Sequence, residues 1–339
     1  MKTRIRTMLL AAIVAVAPLR GDAETPKADT LVRLSFGSGW DALPAIVGIE
    51  RGFFAQEGLV VSGLTVTSGE AVMQSLATGS TDFAALPQRA FLVMVAAQFP
   101  VQAVALNGWG TRAELVVSPS LGSAKSIADL KGKTIAINTG SDVLPALFRL
   151  VKQAKLKPTD VALLQLPAEG LVQVFADKKA DAVFASAHFT EPLGSHGGAR
   201  RLLSNQEIVQ ATGFVGAQPL VVSRKTIERD SALVQKFVNG WVKAIAYIEQ
   251  DPADAARLLQ IFFHRQGVAA TPEQAASWVG MTRHDRAVWT KEDTADVDAN
   301  GASLVEGGIL KVRPKLDGYV DTSYAKKAAE LIASPAAAQ

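Results

Sequence analysis

From residue 31 onward, short apolar or alternating runs typical of β-strands are separated by segments with helical spacing. Residues 31–36 alternate apolar and polar side chains, and residues 41–54 follow with apolar residues at helical intervals. Further strands are predicted at 59–66, 81–86, 101–106 and 113–118, with helices at 69–77 and 88–97. This order requires crossover helices between mainly parallel strands, so an α/β protein is predicted.

A second series follows the linker-like residues 118–124. We predict strands at 134–137, 161–166 and 181–184, helices at 142–153 and 168–177, and a further strand at 219–223. Residues 230–250 then form one long amphipathic helix, and more helices follow. No repeat of fixed period is detectable. The final residues, rich in Pro, Ala and Gln, are predicted to be disordered.

The first residues have the pattern of a signal peptide. Lys2, Arg4 and Arg6 precede an apolar run at 8–16 that is too short to span a bilayer. Small residues at the positions inspected by a signal peptidase predict cleavage after Ala23, so residues 1–23 are assigned as the signal peptide. Without a following Cys, a lipid anchor is excluded. We therefore expect an exported, periplasmic protein that does not insert into the membrane.

Composition excludes several classes of function. The chain has no Cys and four His, none in a metal-binding pair, so neither a metal nor a cofactor is expected. The net charge of +3 includes the basic signal peptide, which leaves a near-neutral mature chain with no evident nucleic-acid partner. The chain lacks a nucleophile elbow and a phosphate-binding glycine loop, and the glycine-rich residues 194–198 fit neither. We expect a protein that is not an enzyme.

Four segments carry a family resemblance. They are GWDALPAIVGIERGFFAQEGL at 39–59, LATGSTDFA at 76–84, DLKGK at 129–133 and ADA at 180–182. In this order, and behind a signal peptide, they resemble the nitrate/sulfonate/taurine-type substrate-binding proteins of ABC transporters. Each motif alone has low specificity, and the resemblance rests on their combination across nearly the whole mature chain.

The resemblance implies a two-lobed periplasmic-binding-protein type II fold with two hinge crossings and a ligand cleft between the lobes. We place lobe 1 at 31–115 and 220–326, lobe 2 at 116–219, and a partly disordered C-terminal end at 327–339. The implied partners are a small-molecule ligand and a cognate ABC permease with its ATPase. We expect the binding protein to be a monomer.

Ligands in open α/β sheets bind beyond the carboxyl ends of the strands, near the following helices. The first segment placed there is 38–41, where Ser38 and Gly39 offer backbone N–H groups and Trp40 an apolar wall. The alternative is that Trp40 belongs to the core and Asp41 caps the helix.

The second predicted segment of the ligand site is 67–70. Ser68 and Gly69 lie where a helix N-terminus offers donors to an anion. Glu70 either faces the cleft, where it favours an amine or hydroxyl group of the ligand, or points outward and only complements the helix dipole.

The third segment, residues 86–89, and the separate candidate Trp109 follow two later strands of the first series, and the fourth segment, residues 139–142, belongs to the second lobe. Gln88 is expected to donate and accept hydrogen bonds in the cleft. Arg89 is suited to a carboxylate, sulfonate or phosphate, although an arginine at this point of a helix is more often solvated. Trp109 either covers the cleft near the hinge or only packs there.

The second lobe is predicted to contribute Thr139, Gly140 and Ser141, a hydroxyl-rich turn before a helix and a position that contacts ligand in the resembled family. Opposite it, His188 is read as a polar cleft residue and Glu191 as part of the Glu-Pro pair often found there.

The chain departs from the resembled family at Thr190, which stands where that family often has an aromatic residue. This departure leaves the ligand class open. Phe189 and Phe214 are candidates for an apolar wall.

These turns favour a small organic anion, a sulfonate or a carboxylate, with an aromatic part or an amino-sulfonate as options. Four carboxylates, on Asp41, Glu70, Asp142 and Glu191, lie near the same cleft. If two or more face inward, a zwitterion or a neutral heterocycle is favoured instead. The alternatives to a transport protein are a binding protein of the same fold that presents its ligand to a membrane receptor, and an exported enzyme.

Overall fold

The computed structural model describes residues 30–37, 39–66, 69–110, 113–138, 142–167, 170–171, 173–280 and 282–333. The predicted signal peptide and the last six residues lie outside these ranges. In the part of the chain that the structure describes, no helix has both the length and the apolar character needed to cross a bilayer.

Two five-stranded sheets organise the described residues. The first contains β1 (Thr30–Gly37), β2 (Leu59–Val66), β3 (Phe83–Ala85), β4 (Val101–Gly108) and β10 (Gln218–Ser223). The second contains β5 (Ala113–Val117), β6 (Thr134–Asn138), β7 (Ala162–Leu166), β8 (Ala182–Ser186) and β9 (Arg200–Leu203). Their strand orders are β2-β1-β3-β10-β4 and β7-β6-β8-β5-β9.

Helices cover both sheets. Those around the first series are α1 (Leu43–Glu50), α2 (Gly69–Ala77) and α3 (Gln88–Ala96); those of the second are α4 (Leu144–Gln153), α5 (Ala187–Gly197) and α6 (Asn205–Thr212). The C-terminal helices are α7 (Arg224–Arg229), α8 (Ser231–Gln250), α9 (Pro252–Arg265), α10 (Pro272–Gly280), α11 (Lys291–Glu306) and α12 (Ser323–Ala333).

The sheets are mixed, whereas mainly parallel strands were predicted. β1 pairs parallel with β2 and β3, and β6 pairs parallel with β7 and β8. β10, however, lies antiparallel between β3 and β4, and β5 lies antiparallel between β8 and β9. The chain leaves the first sheet after β4 and returns to it at β10. A strand that enters a sheet in this way has no crossover helix to impose a parallel direction.

The predicted elements did not include β9, α5, α6 or α7, and the first helix was predicted too long. β9 reads Arg-Arg-Leu-Leu and has no alternation. α6 follows a capping box at Ser204 and Glu207, a signal visible in the sequence. The helix predicted at 41–54 ends at Glu50, because Gly52 takes a φ of 69° that turns the chain.

The core of the first sheet is aromatic. Phe237 and Trp241 of α8 are fully buried, and Phe54 is 2% exposed. The Phe237 ring stacks on Phe54 at 4.7 Å and on Phe83 of β3 at 3.9 Å. α8 therefore holds the loop after α1 and the centre of the first sheet in one packed unit.

A second core cluster continues between the two sheets. It contains Phe91 of α3, Leu147 of α4 and Leu304 of α11. α11 contacts both α3 and α4. Arg149 of α4 forms an ion pair with Asp296 of α11 at 3.2 Å. The C-terminal helices thus pack against elements of both sheets.

The segment 327–339, predicted to be partly disordered, is helical as far as Ala333, and its last six residues lie outside the described ranges. The reason is that Ala325 and Ala328 are fully buried in the core of the first sheet, where α12 contacts α8. Small apolar residues such as these alanines are what a close helix–helix contact requires.

Candidate functional site

Three ionisable residues, two aspartates and one arginine, come together where strands of the two sheets end. Asp41 lies in the 3-10 turn Trp40–Ala42 that follows β1, Arg89 is the second residue of α3 after β3, and Asp142 follows β6. The backbone N–H of Arg89 donates to Oδ1 of Asp142 at 3.1 Å. This hydrogen bond joins the N-terminus of α3, at the first sheet, to the turn before α4, at the second.

The Asp41 carboxylate folds back over the end of β1. A Cβ atom at Gly37 would lie 2.6 Å from its Oδ2, and one at Gly39 would lie 2.8 Å from its Oδ1. Burial raises the pKa of Asp41 to about 6, against the lowering effect of the backbone N–H groups of Asp41 and Gly39. The glycines are therefore required for the close approach of this carboxylate. The predicted capping role is not observed, since the N-cap of α1 is Ala42.

The Asp142 carboxylate occupies the N-terminal end of α3. Burial raises its pKa to about 7, and the nearby Asp41 carboxylate also raises it. The pKa of Asp142 is lowered in turn by the backbone N–H groups of Arg89 and Gln88 and by the charge of Arg89. A carboxylate in this position is stabilised by the unpaired donors and the dipole of the helix. Asp41 thus lies close enough to Asp142 to influence the ionisation of Asp142.

These raised pKa values predict that the protein is more stable at pH 5 than at pH 8. The unfolded chain ionises both groups near pH 4, whereas the folded chain retains protons up to about pH 6 and 7, so stability falls as pH rises through that window. We expect the difference in the free energy of unfolding between pH 5 and pH 8 to be smaller by roughly 1–3 kcal/mol in Asp142→Asn. Urea unfolding at the two pH values measures it.

The exposed Asp177 provides a matched control for this measurement, because its side chain is 44% exposed and paired with Lys179. Asp177→Asn should leave the pH dependence of unfolding as in the unaltered protein. If Asp142→Asn unfolds with the same pH dependence as the unaltered protein, the assignment of this dependence to Asp142 is contradicted.

Arg89 is partly buried, contrary to the solvated position that is usual for a helix arginine. Its Nη1 is shielded from solvent and has no hydrogen-bond partner among the described residues. A buried donor without a partner is destabilising in the absence of an acceptor. A guanidinium beside two strand ends is well suited to bind an anionic group of a ligand.

Gln88 has a different environment from the one predicted. Its side chain is 1% exposed, its Nε2 donates to the Ala217 carbonyl at 3.0 Å, and its Oε1 accepts from Nδ2 of Asn300 at 2.6 Å. Asn300 also donates to Asp296 at 3.0 Å. These contacts tie the start of α3 to α11 and to the chain before β10. Direct contact of Gln88 with ligand stays a prediction.

Asn107, near the end of β4, lies behind Asp41. Its Nδ2 donates to the Asp41 carbonyl at 2.8 Å and approaches Oε1 of Gln218 at 3.3 Å. The side chain is 2% exposed, and its Oδ1 has no partner among the described residues. Asn107 therefore anchors the Asp41 backbone to the end of β4.

Trp109 lies between β4 and β5, where the chain passes from the first sheet to the second, and it contacts residues 283–286. Its backbone exchanges hydrogen bonds with Arg283, and its Nε1 donates to Asp285 at 2.7 Å. The guanidinium groups of Arg283 and Arg286 lie 4.2 and 5.0 Å from the ring centroid. This arrangement matches the packing alternative for Trp109, and contact with ligand stays a prediction.

The remaining predicted residues do not share one location in the structure. Phe214 is 2% exposed, in the core between the sheets, and Glu191 is exposed on α5. Thr190 is buried and donates to Glu114 at 2.7 Å, which explains a hydroxyl where an aromatic residue was expected. Predicted residues outside the described ranges are Ser38, Ser68, Thr139, Gly140 and Ser141, and those described by backbone alone are Trp40, Gly69, Glu70 and His188.

Sequence reasoning undervalued Arg89 and Asp142, and it missed Asn107 and Asn300. Asp142 was predicted to lie near the cleft, at a turn before a helix of its own lobe, and only the tertiary structure brings α3 against it. Asn300 lies in an acidic surface-like helix, and nothing in the sequence signals its contact with Gln88. Among the described residues, no group of three or more His, Cys, Asp or Glu is placed to hold a metal ion.

Comparison with known proteins agrees with this architecture. A family model described as NMT1/THI5 like matches residues 40–255, more than half of the 339 residues. A putative binding protein of Brucella abortus is 28% identical over 143 residues, 42% of this chain and 43% of the relative. The chain thus matches less than half the length of that relative.

Longer matches connect the chain to sulfonate-binding proteins. A putative aliphatic sulfonates-binding protein of Bacillus subtilis is 22% identical over 256 residues, which cover 74% of this chain and 76% of the relative. The crystal structure of the periplasmic aliphatic sulphonate binding protein of Escherichia coli superimposes with a TM-score of 0.71 at 18% identity, covering 86% of this chain and 92% of that one. This likeness confirms the predicted two-lobed fold.

Proposed function

Since the chain belongs to the NMT1/THI5-like family, we propose that it is the substrate-binding protein of an ABC importer of the sulfonate and nitrate type. It acts in the periplasm, captures a small organic anion and delivers the anion to a permease with its ATPase. The proposal places lobe 1 at 31–115 and 220–326 and lobe 2 at 116–219, with the ligand between them.

The single observation that carries the ligand class is the Arg89 guanidinium. It lies at the junction of the two sheets, and its buried Nη1 has no partner among the described residues. A sulfonate or carboxylate oxygen satisfies this donor by a charge-assisted hydrogen bond. Because the backbone N–H of the same residue binds Asp142 of the other sheet, a ligand on Arg89 is held where the lobes meet.

Such a ligand favours the closed arrangement of the lobes. Binding stabilises closure only if the ligand makes contacts in the closed form that are absent from the open form. In this proposal the ligand meets the condition by contacting Arg89 from the first sheet and the neighbourhood of Asp142, which follows the second sheet's β6. The closed form is then the one that a permease recognises.

We expect the purified protein to bind its solute without converting it. Thermal unfolding in the presence of a panel of alkyl and aryl sulfonates and carboxylates should show stabilisation that follows mass action alone. Mass spectrometry of the recovered solute should show it unchanged. Conversion of the solute at a catalytic rate would instead establish an exported enzyme, and no stabilisation by any member would contradict the ligand class.

A further inference from the structure

We propose that Asn300 of α11 is a positioning residue for Arg89. Acting through Gln88, the Asn300 amide holds the first turn of α3 in place and makes that turn depend on α4, a helix of the second sheet. The proposal rests on the function above, in which Arg89 binds the anionic group of the solute. Asn300 needs no contact with the solute for this role.

Helix α11 is packed against one helix of each sheet. A Cβ atom at Gly301 would lie 3.5 Å from Cδ2 of Leu92 in α3. A Cβ atom at Gly307, directly after α11, would overlap the ring of Phe148 in α4. Because packed interiors transmit strain, a helix in such close contact with both neighbours passes a displacement of one to the other.

The Asn300 side chain is fully buried and forms hydrogen bonds toward both helices. Its Nδ2 donates to Oε1 of Gln88 at 2.6 Å and to Oδ2 of Asp296 at 3.0 Å. Its Oδ1 accepts from Nη2 of Arg149 in α4. A carboxylate on one side and a guanidinium on the other leave a single orientation for the amide. One side chain thus joins the residue before Arg89 to the second sheet.

Gln88 carries this contact to Arg89, since the two are the first and second residues of α3. The N-cap residue, Pro87, makes no side-chain capping hydrogen bond. The start of the helix is held instead through the Gln88 amide, which lies between Asn300 and the Ala217 carbonyl. Loss of the Asn300 contact therefore releases the turn on which Arg89 lies.

Asp296 and Arg149 hold the other side of this network. The Asp296 side chain is 5% exposed, pairs with Arg149 at 3.2 Å and accepts from the backbone N–H of Gly216 at 3.2 Å. Arg149 also donates to the Thr212 carbonyl at 3.2 Å. A buried charge that loses its partner is strongly destabilising, so these contacts favour one arrangement of α4 against α11.

The test is a double-mutant cycle between residues 300 and 89, measured by calorimetric titration with a tight-binding member of the sulfonate panel. Asn300→Ala should weaken binding about fivefold when Arg89 is present. In the Arg89→Ala background it should change the affinity less than about twofold, because the group that it positions is absent. A residue that only stabilises the fold would change the affinity by the same factor in both backgrounds.

Arg149→Lys disturbs the same network from the second sheet. It keeps the charge opposite Asp296 but loses the planar fork that also reaches Asn300, so we expect a folded protein whose binding is about two- to fivefold weaker, again only when Arg89 is present. Ser303→Ala is the matched control on α11, because the Ser303 Oγ donates within the helix to the Ala299 carbonyl at 3.0 Å. It should leave the affinity unchanged.

Hydrogen exchange of the protein without ligand gives a second readout. The backbone N–H of Arg89 donates to Asp142 at 3.1 Å. In Asn300→Ala we expect the amides in the first turn of α3 to exchange about fivefold faster, with those of β1 unchanged.

Equal factors in the two backgrounds, or unchanged exchange at the start of α3, would overturn the positioning role and leave the proposed function standing. If Asn300→Ala does not fold, Arg149→Lys decides the same question. Absence of binding by every sulfonate and carboxylate of the panel would overturn the proposed function, and the role of Asn300 in binding with it.

Discussion

Replacing Arg89 by alanine is expected to weaken the binding of a small sulfonate by about 10²-fold, the largest effect on affinity of any single substitution in this site. The side chain is partly buried and its Nη1 has no partner among the described residues, so a bound anion gains a charge-assisted contact that solvent does not screen. Its removal leaves the ligand's charge without a partner in a site that already holds two carboxylates. Isothermal calorimetry with a tight-binding member of the sulfonate panel measures the change.

The substitution isolates the side chain, because the hydrogen bond from Arg89 to Asp142 comes from the backbone N–H and survives in alanine. Arg89→Lys should recover part of the affinity, since it restores the charge but not the planar pair of donors. Arg201→Ala is the matched control: its side chain is 60% exposed and pairs with Glu114 at the surface. Undiminished affinity in Arg89→Ala would place the anion elsewhere in the protein.

Replacing Trp241 by alanine is expected to reduce the free energy of unfolding by about 3–5 kcal/mol. Trp241 is fully buried in the core of the first sheet, with its ring 6.0 Å from Phe237 and 6.5 Å from Phe54. Its Nε1 also donates to the Leu106 carbonyl at 3.0 Å, which ties α8 to β4. Alanine opens a cavity beneath the sheet and removes the indole donor from that carbonyl. Urea unfolding followed by far-ultraviolet circular dichroism measures the loss.

Trp241→Phe separates the contribution of apolar packing from that of the hydrogen bond to the Leu106 carbonyl. It keeps most of the apolar contact and removes the hydrogen bond, so we expect a loss of about 1–2 kcal/mol. A loss below about 1 kcal/mol in Trp241→Ala would show that the core can collapse around the missing ring and that α8 does not depend on it.

The alternation of strand and helix could be read from the sequence because each element carries its own local pattern. β1, β2, α2 and α8 were predicted to within one residue at each end. Strand direction could not be predicted for β5 and β10, since their neighbours in the sheet are distant in sequence. The position of the site at the strand ends also followed from the α/β order, but the pairing of its residues did not.

What the sequence determined by itself is therefore the α/β class, the family and the strand ends at which polar side chains collect. These depend on periodicity and on short motifs, which act over a few residues. Only the tertiary structure decided that Asp142 lies on the N-terminus of α3, that Asp41 raises its pKa, and that Arg89 keeps a buried donor without a partner among the described residues. Residue 89 and residue 142 are brought together by the packing of two sheets and of α11 across them, and burial and charge interaction exist only once that packing has formed.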